Sequence, residues 1–250
     1  MAQFKIKIAG KVAQITSLFD STRDYCRSYL SDAEAEFAIT VTREDLAFEQ
    51  EWLLEEAQQE GLRPRIFSDP FLERTAIQRK MAEYLFDHNI LMLHGSTIAV
   101  DGAAYLFTAK CGTGKSTHTR LWRQIFGDRA VMVNDDKPFL KATDNGFLAC
   151  GAPWSGKHGL DTNITVPLKG ICLLERGSEN RIRPISPEEI LPMLRHQGYR
   201  PLAPEKEEAY LRLTAALAEQ TPLWHMECTK EPQAAQVAHG AMCGKDLTEI

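Results

Sequence analysis

Gly112-Thr113-Gly114-Lys115-Ser116-Thr117 sets two glycines, a lysine and two hydroxyl residues at the spacing of an anion cradle. Glycine lets the backbone curl so that successive N–H groups turn inward, and a helix starting there adds the positive end of its dipole. Lys115 then reaches the terminal phosphates of a nucleotide, and Ser116 offers its hydroxyl to a magnesium ion. Cys111, Gly112 and Thr113 complete the loop that wraps the phosphates, and Thr117 closes it. Ala109 stands where this pattern usually begins with glycine, and alanine fits there if its φ is negative.

A second segment, Ala130 to Asp136, is an apolar run that ends in Asn134-Asp135-Asp136. Two adjacent ionised carboxylates repel each other, and a divalent cation or a shared proton relieves the repulsion. Magnesium takes carboxylate oxygen, water and substrate phosphate, so one aspartate beside a phosphate loop suits it while the other is left to act as a base. Downstream, Gly151 to Asn163 is too polar and glycine-rich for a core strand. Within it Lys157 is placed to stabilise a migrating phosphoryl group and Trp154 to wall an acceptor pocket. Arg176 reads as a phosphate contact or as an ion-pair partner of Glu175 or Glu179.

These residues need elements to hold them. Tyr105 to Thr108 reads as the strand entering the loop and Ser116 to Phe126 as the helix leaving it, the order that a phosphate loop requires. Ile90 to Val100 and Ala103 to Thr108 flank Asp101-Gly102, a hairpin dipeptide. A second hairpin, Phe139 to Ala142 with Phe147 to Cys150, surrounds Asp144-Asn145-Gly146. Val166 to Glu175 reads as a buried strand, and Ser186-Pro187-Glu188-Glu189 as a capping box starting a helix. Glu205 to Glu219 and Glu231 to Met242 read as helices, with a short strand at Trp224 to Cys228. Before residue 89 the pattern is mixed. Residues 4 to 16 and 35 to 42 read as strands, Ser21 to Tyr29 and Arg43 to Glu60 as helical, and Asp69-Pro70 as the start of another helix. The division expected is an accessory α/β region over 1–88 and a nucleotide-binding core over 89–250.

The 250 residues are 44% hydrophobic and 25% charged, enough to bury a real core. A net charge of -5 with no long Lys/Arg run argues against a nucleic-acid partner. The six cysteines show no Cys-x-x-Cys spacing and read as reduced thiols of a cytoplasmic protein. Residues 1 to 11 have no continuous apolar stretch of a secretory leader, and Ile90 to Thr108 is interrupted by His94, Asp101 and Gly102, so no membrane partner is expected. Homo-oligomer formation is left open.

In order, His94-Gly95, the strand hairpin, the loop ending Gly-Lys-Ser-Thr and Asn134-Asp135-Asp136 resemble the catalytic domain of HPr kinase/phosphorylase and, more distantly, phosphoenolpyruvate carboxykinase. The resemblance covers about residues 89 to 175. It implies an α/β phosphate-loop core with a mixed, largely antiparallel sheet, ATP and Mg2+ as ligands, and phosphoryl transfer to a hydroxyl. It makes Lys115 the phosphate lysine, Ser116 and Asp136 metal contacts, Asp135 the base, and His94 the histidine that tunes that base. The chain departs from the family in carrying Thr117 after Gly-Lys-Ser and in lacking the later Pro-Gly-Arg-Asn-like and glycine-rich segments. The expected acceptor is therefore a small molecule or peptide. The alternatives are an HPr-type protein serine kinase, a nucleotide-binding regulatory protein without transfer activity, and a protein-interaction scaffold.

Overall fold

In the computed structural model, which describes residues 1–59, 61 and 63–244, Ala9 and Gly10 take φ values of 52° and 87°. Two consecutive positive φ values make a tight reversal. The single strand expected over residues 4–16 is therefore two, β1 (Ala2–Ile8) and β2 (Lys11–Ser17), paired antiparallel. β3 (Phe37–Thr40) adds to β2 in parallel. The helical segment after residue 20 is α1 (Ser21–Tyr25) followed by a 3-10 turn, Arg27–Tyr29. α2 (Arg43–Gln59) and α3 (Asp69–Phe86) follow, and Glu60, to which the first was expected to extend, lies outside the described residues.

Contacts divide the chain into two units, Met1–Leu85 and Phe86 onward. In the first, Glu73 is wholly buried and accepts hydrogen bonds from the Leu18 and Phe19 backbone and the Thr22 hydroxyl, so it fixes the entry to α1. Arg79 and Lys80 on α3 pair with Asp45 and Glu49 on α2.

The second unit is built on a mixed sheet of nine strands. The strand expected over Ile90 to Val100 is divided into β4 (Ile90–Met92) and β5 (Ser96–Val100), with His94-Gly95 between them. Gly95 has no room for a side chain: a Cβ would lie 3.1 Å from the Phe107 carbonyl oxygen. β5 turns at Asp101-Gly102, where φ is 51° and 79°, into β6 (Ala103–Thr108). α4 (Lys115–Phe126) leads to β7 (Ala130–Asn134), and then come the hairpin of β8 (Phe139–Thr143) and β9 (Gly146–Cys150), and the long β10 (Thr165–Arg176). A strand with no signal in the sequence reading, β11 (Arg181–Pro184), precedes α5 (Pro187–Gln197), whose capping box at Ser186 and Glu189 is present. α6 (Glu207–Gln220), β12 (Leu223–Cys228) and α7 (Gln233–Cys243) complete the described chain. Among the described residues no helix is long and apolar enough to cross a membrane.

Strand direction decides where the chemistry gathers. β10 is parallel to both β6 and β12, and β7 is antiparallel to β5, which is itself antiparallel to β6. β6, β7, β10 and β12 therefore all run the same way, and their carboxyl ends share one edge of the sheet. Along β6 the side chains alternate. Ala104 and Leu106 enter one core with α5 and α6, while Tyr105 and Phe107 enter another with α4 and α7. α4 buries His118, Leu121, Trp122 and Phe126, a stripe at helical spacing, against the second core. Trp122 is wholly buried, and a side chain of that size contributes about 4–6 kcal/mol of apolar burial. α4 is thus fixed at the sheet edge, and the loop before it is held at both ends.

Candidate functional site

The loop between β6 and α4 starts from Ala109, which is fully buried. The non-glycine residues with positive φ among those described are Ala9, Asn89 and Asp101, so Ala109 satisfies the condition set for alanine at this position. Gly112 and Gly114 take φ of 73° and 126°, values that favour glycine, and Gly114 is the residue that caps α4. The chain curls here as an anion cradle needs. Lys115, in the first turn of α4, is buried and donates from Nζ to the Ala109 carbonyl at 3.2 Å, so its ammonium group lies back across the loop. Burial lowers its pKa, against the opposing pull of Cys111, Asp136 and Asp135. Cys111 is exposed, and Thr113, Ser116 and Thr117 are partly exposed around the same turn.

At the end of β7, Asp135 is 6% exposed. Its Oδ1 accepts from the Ser96 hydroxyl at 2.6 Å, and Ser96 Oγ lies 2.8 Å from Thr119 Oγ1 on α4. Ser96 has one hydroxyl hydrogen. With that given to Asp135, Ser96 is left to accept from Thr119. A chain of two buried hydroxyls therefore links the carboxylate to the helix that begins at the phosphate loop, crossing β5 on the way. Sequence reading missed Ser96 and Thr119, because an isolated hydroxyl residue in a strand or helix carries no signal.

Asp136 has different neighbours. Its Oδ1 is 3.3 Å from His94 Nε2, and a Cβ on Gly156 would lie 3.1 Å from its own Cβ. The 3-10 turn Gly156–His158, which carries Lys157, is therefore packed against Asp136, with Lys157 itself exposed. Burial raises the Asp136 pKa, although Lys137 and Lys115 oppose this. Burial and the charges of Lys137, Lys115 and His196 push His94 far below its ordinary value, so the imidazole beside Asp136 is neutral and the contact is not an ion pair. The histidine thus meets Asp136 and not Asp135.

Asn134 builds the turn that separates the two carboxylates. Its Oδ1 accepts from the Asp136 and Lys137 backbone at 2.8 and 2.6 Å, and its Nδ2 donates to the Ala152 and Trp154 carbonyls. The same side chain therefore shapes the turn and secures the loop over 151–163. Trp154 is 5% exposed and meets the Phe139 ring edge-on at 6.4 Å, so it packs beneath this loop and does not wall an open pocket. Arg176 makes neither ion pair expected of it. It donates from Nη2 to the Gly112 carbonyl and from Nε to the Thr113 carbonyl at 3.3 Å, while Glu179 pairs with Arg181 and Glu175 with His225.

Among the described residues no group of three or more His, Cys, Asp or Glu side chains could hold a metal ion. A magnesium ion here would depend on phosphate oxygens together with Ser116 and a carboxylate, which is how this ion is commonly held beside a phosphate loop. The donor set fits that arrangement.

No protein-family model matches the chain, and no curated protein does. Among solved structures, the Hpr(Ser) kinase/phosphatase from Coxiella burnetii matches with a TM-score of 0.38 and 11% identity, over 61% of this chain and 97% of that one.

Proposed function

We propose that the protein is a magnesium-dependent kinase that transfers the terminal phosphoryl group of ATP to a hydroxyl. The observation that carries this reading is the shared edge. The glycine loop ending in Lys115 and Ser116 and the carboxylates Asp135 and Asp136 leave parallel-running strands on the same side, linked through Ser96 and Thr119. A glycine loop alone binds phosphate. A pair of carboxylates beside it adds a metal contact and a base.

The backbone of 111–114 and Lys115 would hold and neutralise the phosphates. Ser116 and Asp135 would help to hold magnesium, which would supply charge stabilisation to the transferring group. Asp135 suits that role because it is buried and tethered toward α4. Asp136 suits the base, because it lies beside neutral His94 and against the Gly156–His158 turn that carries the exposed Lys157. This exchanges the roles that the family resemblance implied for the two aspartates. In the reaction the acceptor hydroxyl gives its proton to the Asp136 carboxylate as its oxygen attacks the γ-phosphorus. The bond from that phosphorus to the β–γ bridging oxygen breaks, and ADP leaves. Lys157 would stabilise the charge on the moving group.

The acceptor proposed is a small molecule or peptide hydroxyl. The test is a screen of hydroxyl metabolites, peptides and HPr with ATP labelled in the γ-phosphate. Transfer that requires magnesium and Lys115 supports the reading. Binding of ATP without transfer to any acceptor would favour a regulatory protein, and failure to bind ATP would favour a scaffold.

A further inference from the structure

The end of β10, the turn after β12 and the outer side of the glycine loop enclose a cleft of about 320 Å3. It is within the size range of small-molecule sites. Thr113, Gly114 and Thr117 form its side toward the phosphate loop, while Leu174, Cys228 and Thr229 line the other side. Asp135, Asp136, His94 and Lys157 do not line it. The strand order explains this separation, because β10 and β12 lie on one side of β6, and β5 and β7 on the other.

A residue lining this cleft carries a polar group that has no partner among the described residues. His118 lines the cleft and is 2% exposed. The Trp122 indole N–H donates to His118 Nε2 at 3.1 Å, and an indole nitrogen can only donate. Nε2 is therefore the bare nitrogen, and the ring hydrogen is on Nδ1. That Nδ1 is buried and has no hydrogen-bond partner among the described residues. An unpaired buried donor is costly, and a ligand acceptor would relieve the cost.

The surroundings of the cleft are firmly held. Gly177 lets β10 and β12 stay close, since a Cβ there would lie 3.0 Å from the Glu227 Cβ, and its N–H bonds to the Cys228 carbonyl. Asn180 Oδ1 holds both the backbone N–H and the hydroxyl of Thr229. Arg176 joins cleft and loop by donating to the Gly112 and Thr113 carbonyls, and Lys230 adds a second cation. The cleft thus offers an apolar side chain, a thiol and hydroxyls, it borders the residue that carries the unpaired N–H, and it is continuous with a phosphate loop.

We propose that this cleft takes the base and sugar of the nucleotide, with a ring nitrogen or keto oxygen of the base accepting from His118 Nδ1–H. The inference rests on the kinase reading and adds to it the side from which the nucleotide enters. The acceptor is then confined to the Asp136 and Gly156 side of the loop.

The test compares magnesium complexes of ATP and of inorganic tripolyphosphate by calorimetry, since tripolyphosphate keeps the phosphates and lacks base and sugar. The wild-type protein is expected to bind ATP about tenfold or more tighter than tripolyphosphate. Cys228→Phe, which fills the cleft, should bring the two affinities within about twofold by weakening ATP alone. Thr229→Trp is a second filling variant, should Cys228→Phe not fold. Equal affinities in the wild type, or folded filling variants that weaken neither ligand or both alike, would overturn the assignment while leaving phosphate binding intact. Binding of neither ligand by the wild type would overturn the kinase reading and this assignment together.

Discussion

His94 Nε2 lies 3.3 Å from Asp136 Oδ1, although the two residues belong to segments 42 positions apart. Their meeting follows from one backbone hydrogen bond, Gly95 N–H to the Asp136 carbonyl at 3.0 Å, which sets the segment between β4 and β5 against the turn after β7. A neutral imidazole beside a partly buried carboxylate leaves the charge of that carboxylate unquenched. This relationship separates the two aspartates and underlies the division of labour proposed for them.

Replacing Asp136 by asparagine should lower the turnover of phosphoryl transfer by about 100- to 10,000-fold, the usual span for a positioned base, with ATP affinity largely kept. Replacing Asp135 by asparagine should raise the magnesium concentration needed for half-maximal rate. Turnover measured against magnesium for both variants checks the split. Interchanged behaviour would restore the assignment that the family resemblance implied.

Lys115→Ala should remove most binding of the ATP-magnesium complex while preserving the fold, because among the described residues the side chain bonds to the Ala109 carbonyl across its own loop and to no other group. Calorimetry paired with circular dichroism is the measurement. Unchanged affinity in a folded variant would remove the kinase reading.

Ser96→Ala takes the hydroxyl from between Asp135 and Thr119 and leaves a buried carboxylate without that donor. A loss of about 1.5–3 kcal/mol in stability is expected, the range for hydrogen bonds to charged groups. Urea unfolding should show a lower midpoint with an unchanged slope. A variant as stable as the wild type would show that the hydroxyl chain contributes nothing to holding the carboxylate.

His118 should make the protein less stable in mild acid. Burial pushes its pKa down from 6.5 to about 3, so below pH 6.5 the unfolded chain takes up a proton that the folded chain refuses. Stability therefore falls as pH drops from about 6.5 toward 3, by about 2 kcal/mol from this one residue between pH 7 and pH 5. His118→Gln keeps an acceptor for Trp122 and removes the titration. Its stability relative to wild type should improve by that amount between the two pH values, and parallel pH profiles would refute the prediction.

Lys157→Ala should slow transfer more than tenfold with ATP affinity unchanged, since a charge acting on the migrating group matters mainly in the transition state. Normal turnover on an identified acceptor would return Lys157 to an ordinary surface loop.

The local parts of this molecule were legible in its sequence because their causes are local. Gly112, Gly114 and Asp101-Gly102 sit where the backbone takes positive φ, the capping box at Ser186 starts α5, and the apolar stripe of α4 repeats at helical spacing. Where a local cause was overlooked, as with the reversal at Ala9-Gly10, two strands read as one. Among the described residues β11 pairs with β12 alone, and it exposes most of its side chains, so neither length nor alternation marks it. Tertiary structure alone decided which carboxylate meets the histidine, that Ser96 and Thr119 join Asp135 to α4, that Arg176 holds the loop carbonyls, and that His118 is left with an unpaired donor beside a cleft. Each of these depends on strand order and direction across a sheet. Parallel neighbours such as β6, β10 and β12 are brought together by long-range pairing, and the sequence spacing of two residues says nothing about whether their strand ends share an edge.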